Sequence, residues 1–172
     1  MKILIDCNNI AYGAAHLKTG MSYNGMQTDV IYGFFNQFFA IANEFRGGDF
    51  FFCWDSKENL RREISPVYKN RVKKTDIENG LDYESVFRQF DQLYTEILPA
   101  LGFQGRVFKR EGYEADDIIA YLSKQFPCVI VSSDEDLYQL LNKNVSMYKP
   151  FKKAYYTVSD FWGDYNGISS QL

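Results

Sequence analysis

Seven acidic side chains have the types and spacing to do chemistry in this chain. Three stand just after short apolar runs: Asp6 follows Ile3-Leu4-Ile5, Asp55 follows Phe50-Phe51-Phe52-Cys53-Trp54, and Asp134 follows Cys128-Val129-Ile130-Val131-Ser132-Ser133. Glu114, Asp116 and Asp117 open a predicted helix, and Asp136 stands two residues after Asp134. Carboxylates gathered together repel one another and hold on to protons unless cations neutralise them. Hard divalent ions bind through oxygen ligands of this kind. The grouping therefore predicts a metal-dependent active site. An aspartate after a strand is also a common helix N-cap, and any one of the three has that simpler role open to it. Caps need one acceptor each, however, and do not call for Asp116 beside Asp117 or Asp134 beside Asp136. On a helix start, Glu114 and Asp117 share a face by the i, i+3 rule, with Asp116 at its rim.

The elements that must position these groups follow from the apolar pattern. Continuous apolar runs read as strands of a parallel sheet buried on both faces, and ligands collect outside the carboxyl ends of such strands. The pattern predicts strands over 2–5, 50–54, 106–108, 129–132 and 145–148, with a short one near 155–157. Helices are predicted over 28–45 (Thr28 as N-cap), 83–98, 114–125 and 136–141. The helix over 83–98 is expected to bury Val86, Phe87, Phe90, Leu93, Tyr94 and Ile97. A polar loop is expected around 18–25, and no terminal element over 161–172. The β-α alternation argues for an α/β fold, a mostly parallel sheet with helices on both faces and right-handed crossovers. A chain of 172 residues suits one such domain.

The net charge of −3 hides an asymmetry. Between Lys57 and Lys74, seven basic residues face two acids, Glu58 and Glu63. A basic segment beside an acidic, metal-loaded pocket suits a polyanion such as a phosphodiester chain. Cys7, Cys53 and Cys128 lack CxxC spacing and lie in or beside strands, so they read as buried reduced thiols. With neither a signal peptide core nor a membrane-length apolar stretch, the expectation is a soluble cytoplasmic protein that does not engage membranes. His16, the single histidine, reads as structural, which leaves Ser-His and Cys-His mechanisms without support. The lack of a Walker-type loop or GxGxxG disfavours nucleotide-cofactor enzymes.

Several of these stretches together resemble the N-terminal catalytic portion of the 5′-nuclease family, which includes phage 5′-3′ exonucleases, flap endonucleases and the 5′-nuclease domain of bacterial DNA polymerase I. The matching residues are Leu4-Ile5-Asp6 with Asn8-Asn9 and Tyr12, Val30-Ile31-Tyr32-Gly33-Phe34, Trp54-Asp55, Arg61-Arg62-Glu63 and Tyr68-Lys69-Asn70-Arg71. Gly112-Tyr113-Glu114-Ala115-Asp116-Asp117 and Ser133-Asp134-Glu135-Asp136-Leu137-Tyr138-Gln139-Leu140-Leu141 complete the match. The resemblance implies a PIN-like (resolvase-like) fold with a basic helical arch over roughly 56–80. It implies that Asp6, Asp55, Glu114, Asp116 and Asp117 surround a first Mg²⁺ or Mn²⁺, and that Asp134 and Asp136 belong to a second. Lys69 and Arg71 would contact phosphates near the scissile bond, Arg61 or Arg62 would assist, and Tyr68 could stack on a base. The implied substrate is DNA with a free 5′ end or flap, with RNA left open.

Departures from the family pattern carry expectations too. Family members continue beyond the position of Leu172 into another aspartate pair and a helix–turn–helix that grips duplex DNA. The second metal set is thus expected to be incomplete within these residues, which read as one piece of a split nuclease completed by a separate C-terminal polypeptide, as a fragment, or as a degenerate relative with little turnover. Gly13 stands where a basic residue is frequent, and Cys7 where glycine is common. Two competing readings are a PIN-type ribonuclease and a non-catalytic nucleic-acid-binding or scaffold subunit that keeps the fold.

Overall fold

The structure, a computed structural model, describes residues 1–17, 19–58, 60 and 81–165. The chain runs β1 (Lys2–Asp6), α1 (Cys7–Ala15), β2 (Ser22–Tyr23), β3 (Met26–Gln27), α2 (Asp29–Glu44) and β4 (Asp49–Trp54), then α3 (Tyr83–Gln92) and β5 (Val107–Lys109). It continues through α4 (Ala115–Ser123), β6 (Cys128–Val131), a 3₁₀ turn (Glu135–Leu140), β7 (Val145–Lys149), β8 (Ala154–Tyr156) and α5 (Val158–Asp164). Six strands form one sheet in the order β5-β4-β1-β6-β7-β8. Every pairing in it is parallel except β7 with β8.

β1 lies at the centre, with Ile3 level with Phe50 on one side and Val129 on the other. Its side chains alternate between two cores. Ile3 and Ile5 pack with Phe34, Phe38, Phe52 and Phe90, under α1, α2 and α3. Leu4 packs with Cys53, Ile119, Ile130, Leu137 and Met147, under α4 and the 3₁₀ turn. Helices cover both faces, which is why the strands are apolar throughout rather than alternating. Phe34 and Phe52 are fully buried; truncating either to alanine is expected to cost about 3–5 kcal/mol. Cys7, Cys53 and Cys128 are free and buried, and burial pushes all three thiols up from their ordinary pKa.

The sequence reading placed the sheet but missed several elements. No helix was expected over 7–15, because Asp6-Cys7-Asn8-Asn9 looks like the start of a loop. Asp6 instead caps α1, accepting from the Asn9 N–H at 3.0 Å, and Ile10, Ala11, Ala14 and Ala15 are buried. Close helix packing makes this work: a Cβ on Gly33 of α2 would lie 2.7 Å from the Ala14 Cβ. Gly13 is less constrained, since a Cβ there would meet only the tip of the exposed Phe151 ring at 2.5 Å, which can swing aside. The expected polar loop contains the β2–β3 hairpin, turning on Asn24 and Gly25, both with positive φ, the pair that a type I′ turn favours.

The α-helical stretch expected over 83–98 stops at Gln92 and continues in π-helical turns at Leu93–Ile97 and Pro99–Phe103. Pro99 has no N–H to donate, so a regular ladder cannot pass through it. Phe87, expected inside, is exposed and packs edgewise on Tyr12. The helix over 136–141 is a 3₁₀ turn, and 158–164 forms α5 with a Thr157/Asp160 capping box. Among the described residues no helix is long and apolar enough to cross a membrane. Most of the predicted arch, residues 61–80, lies outside the described residues.

Candidate active site

β4, β1 and β6 are neighbours and run in the same direction, so their carboxyl ends share one edge. Asp6 ends β1, Asp55 follows β4, and Asp134 follows β6 by three residues. Two asparagines at the start of α1 stitch this edge. The Asn8 side-chain oxygen accepts from the Asp55 N–H at 2.9 Å, and that of Asn9 accepts from the Ser133 N–H at 3.1 Å. Ser132 adds a further tie: its hydroxyl donates to Asp6 Oδ2 at 2.7 Å and accepts from the Asp134 N–H at 3.0 Å. The first turn of α1 is therefore the buckle that joins three strand ends. The sequence pattern gives Asn8 and Asn9 no role of their own and does not single out Ser132. The available signal was a pair of side-chain amides directly after a strand-end aspartate.

The helical acidic group is brought to the same edge from the other side. The Ala115 N–H, at the first residue of α4, donates to Asp55 Oδ1 at 2.7 Å. Glu114 is the N-cap of α4 rather than part of its first turn, and its own N–H is held by Asp117 Oδ2 at 3.1 Å. The expected shared helical face of Glu114 and Asp117 is thus a reciprocal cap at the helix entrance. Glu114 is buried, whereas Asp116 and Asp117 are half-buried. A helix N-terminus favours such negative charge.

Asp6 records the electrostatics of the place. Its carboxyl is raised from 3.8 to about 6, chiefly by burial. The Asn9 N–H and the Ser132 hydroxyl work against that rise, while the charges of Asp55 and Asp134 add to it. Asp55 and Asp134 are therefore each close enough for Asp6 to feel their charge. Asp134 also caps the 3₁₀ turn by accepting from the Asp136 N–H at 3.0 Å, and Asp136 itself is exposed. Among the described residues, no three Asp, Glu, His or Cys side chains converge tightly enough to hold a metal ion between them. The donors are nevertheless all oxygens crowded by their own charge, a chemistry that fits Mg²⁺ or Mn²⁺ and not a soft metal. Arg61, Arg62, Tyr68, Lys69 and Arg71, the expected substrate contacts, lie outside the described residues.

A family profile described as "5'-3' exonuclease, N-terminal resolvase-like domain" matches residues 1–166. The chain belongs to that family. It is 31% identical to DNA polymerase I of Treponema pallidum over 153 residues, covering 84% of this chain and 14% of that protein. With the 5'-3' exonuclease of Aquifex aeolicus it shares 30% identity over 139 residues, 77% of this chain and 45% of the relative. The chain thus spans less than half the length of either relative. Among solved structures, a phage T5 protein co-crystallised with metal ions superposes with a TM-score of 0.70 at 21% identity, over 96% of this chain and 60% of that one. A bacteriophage T5 flap endonuclease in complex with DNA and metal ions superposes at 0.63 with 18% identity, over 96% and 60%. These likenesses establish the resolvase-like α/β fold.

Proposed function

We propose that this 5′-nuclease family domain hydrolyses phosphodiester bonds near the free 5′ ends or flaps of DNA, with divalent metal. The observation that carries the reading is the joint placement of Asp6, Asp55 and Asp134 at three adjacent parallel strand ends, with Asp55 bonded to the helix that carries Glu114, Asp116 and Asp117. Asp6, Asp55, Glu114, Asp116 and Asp117 would hold a first Mg²⁺ or Mn²⁺, and Asp134 with Asp136 part of a second. Bound there, such ions activate the attacking water and neutralise charge on the departing oxygen. The protein's own groups do the positioning. Ser132 and the Asn9 N–H orient the Asp6 carboxylate, Asn8 fixes the backbone of Asp55, and the Ala115 N–H orients its side chain. The basic stretch from Lys57 to Lys74 supplies phosphate contacts through Arg61, Arg62, Lys69 and Arg71, and Tyr68 a stacking surface. Duplex grip and the remaining acidic ligands would come from outside residues 1–172, whether in the same chain or another.

Cleavage of 5′-labelled overhang and flap DNA, beside blunt duplex and single-stranded RNA, tests this. Mn²⁺-dependent shortening of the overhang and flap substrates is expected, lost in EDTA and in Asp116→Asn. A protein that binds the overhang yet leaves it intact in Mn²⁺, even with a C-terminal polypeptide supplied, would count for the second reading. That second reading, a fold-retaining binding subunit, is favoured by the lack of a tightly converged ligand trio among the described residues.

A further inference from the structure

We propose that Gly112, Ser56 and Leu60 form a latch that fixes the separation between Asp55 and the Glu114–Asp117 group, a positioning role that rests on the metal-dependent reading above. Asp55 and Glu114 lie 59 positions apart in the chain, on segments that leave the sheet side by side. The β4–β5 ladder reaches Trp54 paired with Lys109 and stops there. Beyond it the segments stay in contact through a different set of bonds. The Ser56 N–H donates to the Tyr113 carbonyl at 2.9 Å, and the Leu60 N–H to the Gly112 carbonyl at 3.0 Å. The Gly112 N–H donates to Ser56 Oγ at 3.3 Å. Between the ladder, where the Phe52 N–H donates to the Arg106 carbonyl, and the latch the register slips by three residues, absorbed in a turn closed by the Tyr113 N–H on the Arg110 carbonyl at 3.0 Å.

That slip is what lets Glu114 swing over the end of β4, so that the next residue, Ala115, can donate to Asp55. Gly112 is the pivot, for two independent reasons. Its φ is +82°, a conformation that side-chain-bearing residues resist. A Cβ there would also stand 2.7 Å from Leu60 Cγ and 2.9 Å from Cδ1. A third tie, Lys57 to Asp91 at 2.9 Å and Asp91 to Lys109 at 3.3 Å, crosses nearby but is largely exposed and adds little. None of the three latch bonds ends on a candidate ligand's side-chain oxygen. It acts on where two of their backbones sit.

The two reasons for glycine can be separated experimentally. Gly112→Ala carries both backbone strain and the clash, whereas Leu60→Ala/Gly112→Ala carries the strain without the clash. Calorimetric titration with Mn²⁺ and amide exchange at Ser56, Leu60 and Ala115 are the readouts. Gly112→Ala is expected to weaken the tightest Mn²⁺ site about tenfold or more, in the range seen for groups that orient ligands, and to speed exchange at all three amides. The double variant is expected to recover at least about threefold of that affinity and the slower exchange, a rescue that a general loss of stability does not produce. Ser56→Ala, which introduces no strain, is expected to speed exchange at Gly112 and weaken Mn²⁺ about threefold, so an unfolded Gly112→Ala protein still leaves a test. Wild-type affinity and exchange in Gly112→Ala, or no rescue in the double variant, overturns the latch. If the unaltered protein binds no Mn²⁺, the metal reading fails, while amide exchange in the variants still decides the latch.

Discussion

Asp6 and Asp134 end neighbouring strands, yet they are held in different ways. Asp6 is 5% exposed and accepts from Ser132, a partner 126 positions away. Its neighbour Asp55 is fastened to α1 through Asn8 and to α4 through Ala115. Asp134, half-buried, accepts from Asp136 two residues on, and Asp136 is exposed. On one side of the acidic edge bonds from distant elements reach the carboxylates themselves; on the other they reach only Ser132 and Ser133, and the Asp134 carboxylate accepts from within its own local turn. Long-range bonds hold geometry before any ligand arrives, whereas a 3₁₀ turn can re-aim at small cost. The carboxylates on the β1–β4–α4 side are the more firmly fastened of the two.

The sharpest way to break this contrast is to neutralise one carboxylate in each half. Asp55→Asn keeps an acceptor for the Ala115 N–H but loses the charge. Its Mn²⁺ affinity and any Mn²⁺-dependent cleavage are expected to fall by more than about a hundredfold, beyond the usual loss for an indirect ligand neighbour. Asp136→Asn is expected to lose less than about tenfold and to leave the melting temperature unchanged, as exposed substitutions usually do. Equal losses in the two variants, measured by calorimetry and turnover, would erase the distinction.

A second difference lies in pH. The folded protein holds the Asp6 proton more tightly than the unfolded chain, since its pKa is about 6 against 3.8. That contribution to stability is complete below about pH 3.8 and is lost as pH rises through about 6, with an upper size of about 3 kcal/mol. Metal-free protein is therefore expected to melt at a lower temperature at pH 7.5 than at pH 5, by up to about 5 °C, since about half of that contribution is already gone at pH 5. Asp6→Asn should flatten that slope. A wild-type melting temperature that stays level across the window would show that Asp6 is not buried with its acidic neighbours. The smallest effect is expected from Asn9→Ala, which removes the acceptor for Ser133 and should cost about 1–2 kcal/mol of stability. A loss at that site without any change in Asp134-dependent metal binding would show that the stitch is dispensable on the weaker side.

Much of the fold could be read directly from residue order. The three central strands announce themselves because both their faces are buried, so their apolar runs are unbroken. The acidic positions follow from the strands, since Asp6, Asp55 and Asp134 are the first charged residues after each run. α1 escaped because its first turn is polar and its buried face is mostly alanine, a weak signal until Gly33 lets α2 approach. The exposure of Phe87 escaped as well, because periodicity places a residue on a face of its helix and says nothing of whether that face is covered.

By itself, then, the sequence determined where the central strands lie and that Asp6, Asp55 and Asp134 stand just past their carboxyl ends, because an unbroken apolar run is a local property of the chain. Tertiary structure alone decided which of those carboxylates are fastened and which are free to adjust. Asn8, Asn9, Ser132 and Gly112 act through partners 47 to 126 residues away or across a three-residue slip in register, relations that appear only once the strands are side by side.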